Sequence, residues 1–226
     1  MKINVSIDTD KITIADNKVI VDIDPAKDSW FDSVLKAKNS VMLSDLNPKD
    51  EFKIGNEVFI VLEQTDNGTR VISKEFAYDD VKFGDNSDWK VSPIRKILHN
   101  DYFKKIADII GEENILHIHR DLTSLDGLDD YGVCTDRVSL LTAAEYAKYH
   151  KILGLKPNDS DWWWLITPAS TPSNDYSRGV CYVDSYGILS WFGCGFDGGV
   201  RPFLNLSPST QVISKPVKEN IPHFII

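Results

Sequence analysis

Apolar and polar residues alternate from the start of the chain. Ile3, Val5 and Ile7 are separated by polar positions, Ile12 and Ile14 lead into Asp16-Asn17, and Val19, Val21 and Ile23 follow. Alternation with period two around residues that tolerate positive φ predicts a small β meander or hairpin, which Asp24-Pro25 ends. Residues 28–38 then read as a short helix capped by Asp28 or Ser29, with Trp30, Phe31, Val34 and Leu35 on one side. A second strand pair is expected from 51–62 and 69–73, broken by Thr65-Asp66-Asn67-Gly68, because Asn-Gly is a strong hairpin signal.

The period changes between Ser92 and Gly111. Ile94, Ile97, Leu98, Tyr102, Phe103, Ile106, Ile109 and Ile110 follow helical spacing, Ser92-Pro93 supplies a cap and a first-turn proline, and Gly111 supplies a stop. His99-Asn100-Asp101 marks a hinge within this segment. Residues 115–119 read as a strand and 122–135 as an acidic, glycine-containing loop. Residues 138–141 lead through Thr142, an N-cap candidate, into a helix over 143–150. After Pro157 the chain becomes rich in Trp, Gly, Ser and Pro, which predicts short strands joined by long loops.

A chain of 226 residues, 42% hydrophobic and 26% charged, has room for a substantial core, as one large domain with an appendage or two small ones. The formal net charge of -9 disfavours nucleic acid and anionic membrane surfaces as partners. The N-terminus lacks the apolar block of a signal peptide, and no apolar run approaches bilayer length, so the expected location is the cytoplasm, or a virion if the chain leaves with a larger particle. Cys134, Cys181 and Cys194 are odd in number and lack metal-type spacing, so free thiols are expected.

Several ordered blocks carry a resemblance: Leu43-Ser44-Asp45-Leu46, Phe52-Lys53-Ile54-Gly55, Ile94-Arg95-Lys96-Ile97-Leu98, Asp136-Arg137-Val138-Ser139-Leu140-Leu141, Trp163-Trp164-Leu165-Ile166-Thr167-Pro168, Tyr182-Val183-Asp184-Ser185-Tyr186-Gly187 and Gly199-Val200-Arg201-Pro202-Phe203-Leu204. Their order is similar to a bacterial and bacteriophage family of unknown function. The resemblance implies an α+β, C-type-lectin-like fold, distantly related to phage receptor-binding variable proteins and formylglycine-generating enzymes. It covers residues 43–207, leaving 1–42 as a β appendage and 208–226 as a C-terminal tail. One position departs from the family pattern, where Ile166 stands in place of the usual Arg.

A two-residue turn at Ser185-Tyr186 places Val183 opposite Ile188, Tyr182 opposite Leu189, Cys181 opposite Ser190 and Val180 opposite Trp191. Both faces of that hairpin then carry apolar groups, which predicts a central position with helices on one side and long loops on the other. In this register Cys194 lies opposite Ser177, roughly 13 Å along the ladder from Cys181 at about 3.3 Å per residue. That distance disfavours the rival reading, an oxidase with paired cysteines.

Strand alternation sends Trp163 and Trp164 to opposite faces and into the core, with Trp162 as the exposed member. Arg201 reads as a backbone clamp or ion-pair residue in preference to an anion site. His117 and His119 share a strand face but lack a third ligand. Asp121, Asp126, Asp129, Asp130 and Asp136 read as a solvated loop, and the Glu-Pro-Asn and Trp-Asn-Asp calcium motifs of sugar-binding relatives are absent. No catalytic residue, metal or cofactor is assigned. The polar segment 168–178 and the glycine-rich segment 193–199 are expected as exposed loops carrying the contact residues Asn174, Asp175, Tyr176, Trp191, Phe196 and Asp197. The expected activity is non-catalytic binding, with a protein partner favoured over a glycan. A homo-oligomer or a structural part of a phage particle is the alternative.

Overall fold

The computed structural model describes residues 12–15, 18–21, 40–153, 162–213 and 223–225. The chain divides into two compact units, residues 1–40 and 41–226. In the first, strands β1 (Ile12–Ala15) and β2 (Lys18–Val21) pair antiparallel from Ile12↔Val21 to Ala15↔Lys18, so the two alternating runs form a strand pair. The strand expected at residues 3–7 and the helix at 28–38 lie outside the described residues.

The second unit is a mixture of strands and helices in which strands predominate. After β3 (Ser40–Met42) come β4 (Glu51–Ile54), β5 (Glu57–Thr65) and β6 (Gly68–Ser73), an antiparallel run. The sequence reading joined 51–62 into one strand. The chain instead turns at Gly55-Asn56, where Gly55 adopts a left-handed φ of 58°, so two hairpins replace one. The second closes at Asp66-Asn67, with Thr65 opposite Gly68.

β7 (Tyr78–Lys82) leads to the helical segment. The Ser92 hydroxyl accepts from the Ile94 N–H with Pro93 at the first position of α1 (Pro93–Ile97), and Gly111, φ 84°, ends α2 (Phe103–Ile110). The hinge at His99-Asn100-Asp101 lies within a π-helical turn, Leu98–Tyr102, that keeps the helix continuous and inserts an extra residue. The inner face is Ile94, Leu98, Tyr102, Ile106 and Ile110, an i, i+4 series. Ile109, expected inside, is exposed.

β8 (Ile115–Leu116) and β9 (Ile118–Asp121) follow, then β10 (Val133–Asp136) on β9 and β11 (Val138–Ser139). Thr142 caps α3 (Ala143–Leu153) in a reciprocal box: its hydroxyl accepts from the Glu145 N–H at 3.1 Å, and the Glu145 carboxylate accepts from the Thr142 N–H at 2.8 Å.

β12 (Trp163–Pro168) is buried along its whole length. Trp163 and Leu165 point into one core cluster with Tyr146, Tyr149 and Leu153 of α3. Trp164 and Ile166 point into another with Ile94, Leu98 and Tyr102 of the helical segment. Alternation thus divides the Trp pair between two layers, and Ile166 fills an apolar position. β13 (Gly179–Val183), β14 (Leu189–Gly193) and β15 (Asp197–Val200) complete a five-stranded sheet ordered β14-β13-β12-β15-β7.

The larger sheet runs β11-β16-β6-β5-β4-β18-β17-β3, with β8 also on β16. Here β16 is Phe203–Leu206, and the 208–226 segment supplies β17 (Gln211–Ile213) and β18 (His223–Ile225). Arg201 lies in the short crossover from β15 in one sheet to β16 in the other. Its Nε donates to the Ser73 carbonyl at 2.7 Å and its guanidinium stacks over the Trp163 ring at 5.2 Å, so it clamps both sheets, as the sequence reading preferred. Burial pulls this guanidinium down to about 10.

Candidate binding surface

The hairpin of β13 and β14 is present, but its register is one residue from the expected one. Val183 opposes Leu189, Tyr182 opposes Ser190, Cys181 opposes Trp191 and Val180 opposes Phe192. The cause is a three-residue connection, Ser185-Tyr186-Gly187, in which Gly187 takes φ 76° and the Asp184 carboxylate accepts from the Tyr186 and Ile188 N–H groups at 2.9 and 2.7 Å. A one-residue shift exchanges the faces of every β14 side chain. β14 also lies at the sheet edge and not in the middle of the fold, leaving Leu189, Trp191 and Phe192 exposed.

Those side chains build two aromatic groups on opposite faces of the hairpin. On one face Tyr176 meets Trp191 edge-on at 5.7 Å. On the other, Phe192 contacts Phe196 at 4.2 Å, Trp162 at 6.0 Å and Tyr182 at 6.1 Å. Trp162 is the least buried of the Trp triplet, as expected, and packs edge-on against Trp164 at 4.6 Å. Two glycines make room for these rings. A Cβ at Gly179 would meet Tyr176, Ala169 and Trp191 at 2.8, 2.9 and 3.1 Å, and one at Gly198 would meet Trp162 at 2.6 Å.

Of the six expected contact residues, Tyr176, Trp191 and Phe196 are exposed and belong to these groups. Asp175, at φ 51°, and Asp197 are exposed beside Tyr176 and Phe196. Asn174 is surface-exposed, but its amide donates to the Asp126 carboxylate at 3.3 Å and the Ser170 hydroxyl at 3.4 Å, so it holds the loop together. The Ser173 hydroxyl and N–H add bonds to Asp130 at 2.6 and 2.8 Å. The 168–178 segment is therefore fastened to the acidic loop. The 193–199 segment is exposed only in part, since Cys194, Gly198 and Gly199 are buried. Sequence reasoning missed Phe192, Leu189, Tyr186 and Ile188, all exposed on or beside β14. The signal was Gly187, which marks a three-residue turn with its left-handed glycine.

A cleft of ≈ 510 Å³ opens beside Phe196, lined by Gly84, Asp85, Arg178 and the turn 193–196. Cys194, within that turn, is bonded through its N–H to the Arg178 carbonyl at 2.8 Å. In the observed register Arg178, not Ser177, faces Cys194, three residues from Cys181 along β13, or roughly 10 Å. The two sulfurs also belong to different core clusters, and all three cysteines are free. Burial pushes the Cys181 thiol up to about 12 and raises those of Cys134 and Cys194.

Elsewhere the candidate chemistry is structural. Asp136, expected in a solvated loop, is buried and accepts from Trp89 Nε1 at 2.7 Å and Arg95 Nε at 2.9 Å, with His99 Nε2 at 3.2 Å. Two hydrogen-bonding side chains pull a polar loop residue inward, because its carboxylate satisfies donors on the helical segment. His117 occupies the break between β8 and β9, and His119 lies within β9, so one strand does not carry both; His117 lines a ≈ 250 Å³ cleft with His99 and Arg137. Among the described residues no group of three or more His, Cys, Asp or Glu side chains is placed to hold a metal ion, and no helix is long and apolar enough to cross a membrane. No protein-family model, curated protein or solved structure matches the chain.

Proposed function

We propose that the chain is a non-catalytic binding module with a C-type-lectin-like domain, whose ligand is a protein met through the β14 edge and its flanking loops. The observation that carries this reading is the exposed aromatic surface: Trp191, Phe192, Phe196, Tyr176 and Tyr186 stand outside a sheet whose interior is otherwise filled. Exposed aromatics grouped along the edge of a rigid frame are typical of interaction sites, since each ring offers a large contact area at low entropic cost. The fastening of the 168–178 loop to Asp126 and Asp130 supports preorganisation. The domain assignment draws support from the order of the elements: a first run of strands, then helices, a buried Trp-Trp strand, an exposed hairpin, and strands that return to the first sheet. The cysteine geometry lends the oxidase alternative no support.

The immobilised chain, tested in parallel on a bacterial lysate and a glycan array, is expected to retain protein. Tyr176→Ala and Phe196→Ala should each weaken that interaction by about 1 kcal/mol or more with little change in melting temperature. Unchanged affinity in the double variant would place the contact surface elsewhere.

A further inference from the structure

The outer edge of β14 bears unpaired backbone groups as well as aromatic rings. At the ends of the hairpin the Asp184 N–H donates to the Ile188 carbonyl at 3.0 Å and the Cys194 N–H to the Arg178 carbonyl at 2.8 Å. Between these points residues face alternately toward and away from β13. Ser190 and Phe192 therefore bond inward, and the N–H and C=O groups of Leu189 and Trp191 face outward from the sheet. β14 ends the strand order, and among the described residues no strand covers it. Edge strands are usually protected by charge, proline or a bulge. Leu189-Ser190-Trp191-Phe192-Gly193 has neither charge nor proline, and its pairing with β13 runs without a register shift.

We propose that β14 accepts an extended segment of a partner protein as an added strand, and that this segment carries apolar residues at alternate positions and Lys or Arg at its flanks. The proposal rests on the reading of this surface as the binding site and adds the mode and chemistry of the partner. Outward main-chain groups of Leu189 and Trp191 supply the hydrogen bonds, and the aromatic groups on either face receive alternate side chains. Charge selects the occupant. Asp184 closes the hairpin at one end of β14, Asp197 follows Phe196 near the other, and Asp175 precedes Tyr176; Lys82, opposite Asp197 on β7, and Arg178, in the cleft with Asp85, offset them only in part. A second copy of the chain would set these carboxylates, and another net charge of -9, against themselves. A basic-flanked strand from another protein meets complementary charge.

The test pans a phage-displayed library of short linear peptides against the full chain, then measures the enriched peptides on Leu189→Pro and Leu189→Thr. Proline removes an N–H that faces away from β13, a position edge strands tolerate; threonine keeps the N–H and the strand preference. Enriched sequences should alternate apolar residues between basic flanks, with binding weakened about fivefold to tenfold by Leu189→Pro and largely kept by Leu189→Thr. Peptides N-methylated at alternate amides read the same bond from the partner's side, should Leu189→Pro disturb folding: one set of alternate amides should abolish binding and the other spare it. Absence of enrichment, or enriched peptides without basic flanks, overturns the proposal. So does binding indifferent both to Leu189→Pro and to N-methylation, and if that binding is still lost in Tyr176→Ala and Phe196→Ala, the surface survives as a binding site without strand addition. A wild-type dimer in sedimentation, dissolved by Leu189→Pro, would show the edge taken by a second copy and overturn it too.

Discussion

At the residue scale the informative side chains are buried polar ones with assigned partners. Asp136 is the clearest: burial favours its neutral form, but the neighbouring His99 ring and the bonds from Trp89 and Arg95 outweigh it and hold the carboxyl below the usual range. Asp136→Asn keeps the shape and removes the charge that Arg95 faces at 2.8 Å. The expected cost is about 2–4 kcal/mol, read from urea unfolding at neutral pH; an unchanged midpoint would mean that the carboxylate is replaceable. Cys181 makes a second prediction. Its thiol is fully enclosed and pushed up to about 12, so a thiol reagent at pH 8 should reach Cys134, which is partly exposed, well before Cys181. Labelling of Cys181 in the native protein at the rate of an open thiol would contradict its placement.

At the element scale Gly179 joins β13 to the candidate surface. The Cβ of an alanine there would meet the Ala169 methyl carbon at 2.9 Å as well as Tyr176 at 2.8 Å, and Ala169 cannot rotate away. Gly179→Ala should therefore displace the Tyr176–Trp191 pair and cost about 1–3 kcal/mol, visible as reduced near-ultraviolet dichroism and a lower melting temperature. Retention of both would show that the loop yields cheaply. The elements differ in how far local chemistry determined them. The Ser92-Pro93 start and Gly111 stop were legible because cap and terminator act on their own neighbours. The division of Trp163 and Trp164 was legible because strand alternation is geometric. The β14 register was not, since Asp184-Ser185-Tyr186-Gly187 admits two loop lengths and the choice reverses both faces. With it went the exposure of Phe192 and Leu189, so the apolar edge was read only in part. Ile109 failed for a different reason: the π-turn at Leu98–Tyr102 rotates the later half of the helix relative to the earlier half.

At the scale of the whole molecule, buried ion pairs set the response to pH. Glu145 is held below the usual carboxylate range: burial raises it, but the Arg120 pair at 2.6 Å, with the Thr142 bonds, outweighs that. Asp136 behaves alike. A carboxyl whose folded pKa lies below its unfolded value stabilises the fold at pH above the unfolded value, and that contribution is lost as pH falls through the folded one. With ordinary values of 4.5 and 3.8, stability should hold near neutrality and decline as the solution is acidified below about pH 4.5. Thermal melts of the wild type and Asp136→Asn between neutral and acid pH check this: the gap between them should narrow as pH drops. A constant gap would remove Asp136 from the titration.

Arg201 bears on the order in which the chain assembles. Its bond to the Ser73 carbonyl spans 128 positions, and its ring partner, Trp163, belongs to the other sheet. A guanidinium is comfortable in water and costly in a dry interior without partners. An intermediate in which only one sheet has formed would leave this cation either solvated, holding the crossover open, or enclosed with half its contacts. The two sheets therefore have reason to close in a single late step around residue 201, and contacts so distant in sequence make such a step slow compared with the formation of either helix or hairpin.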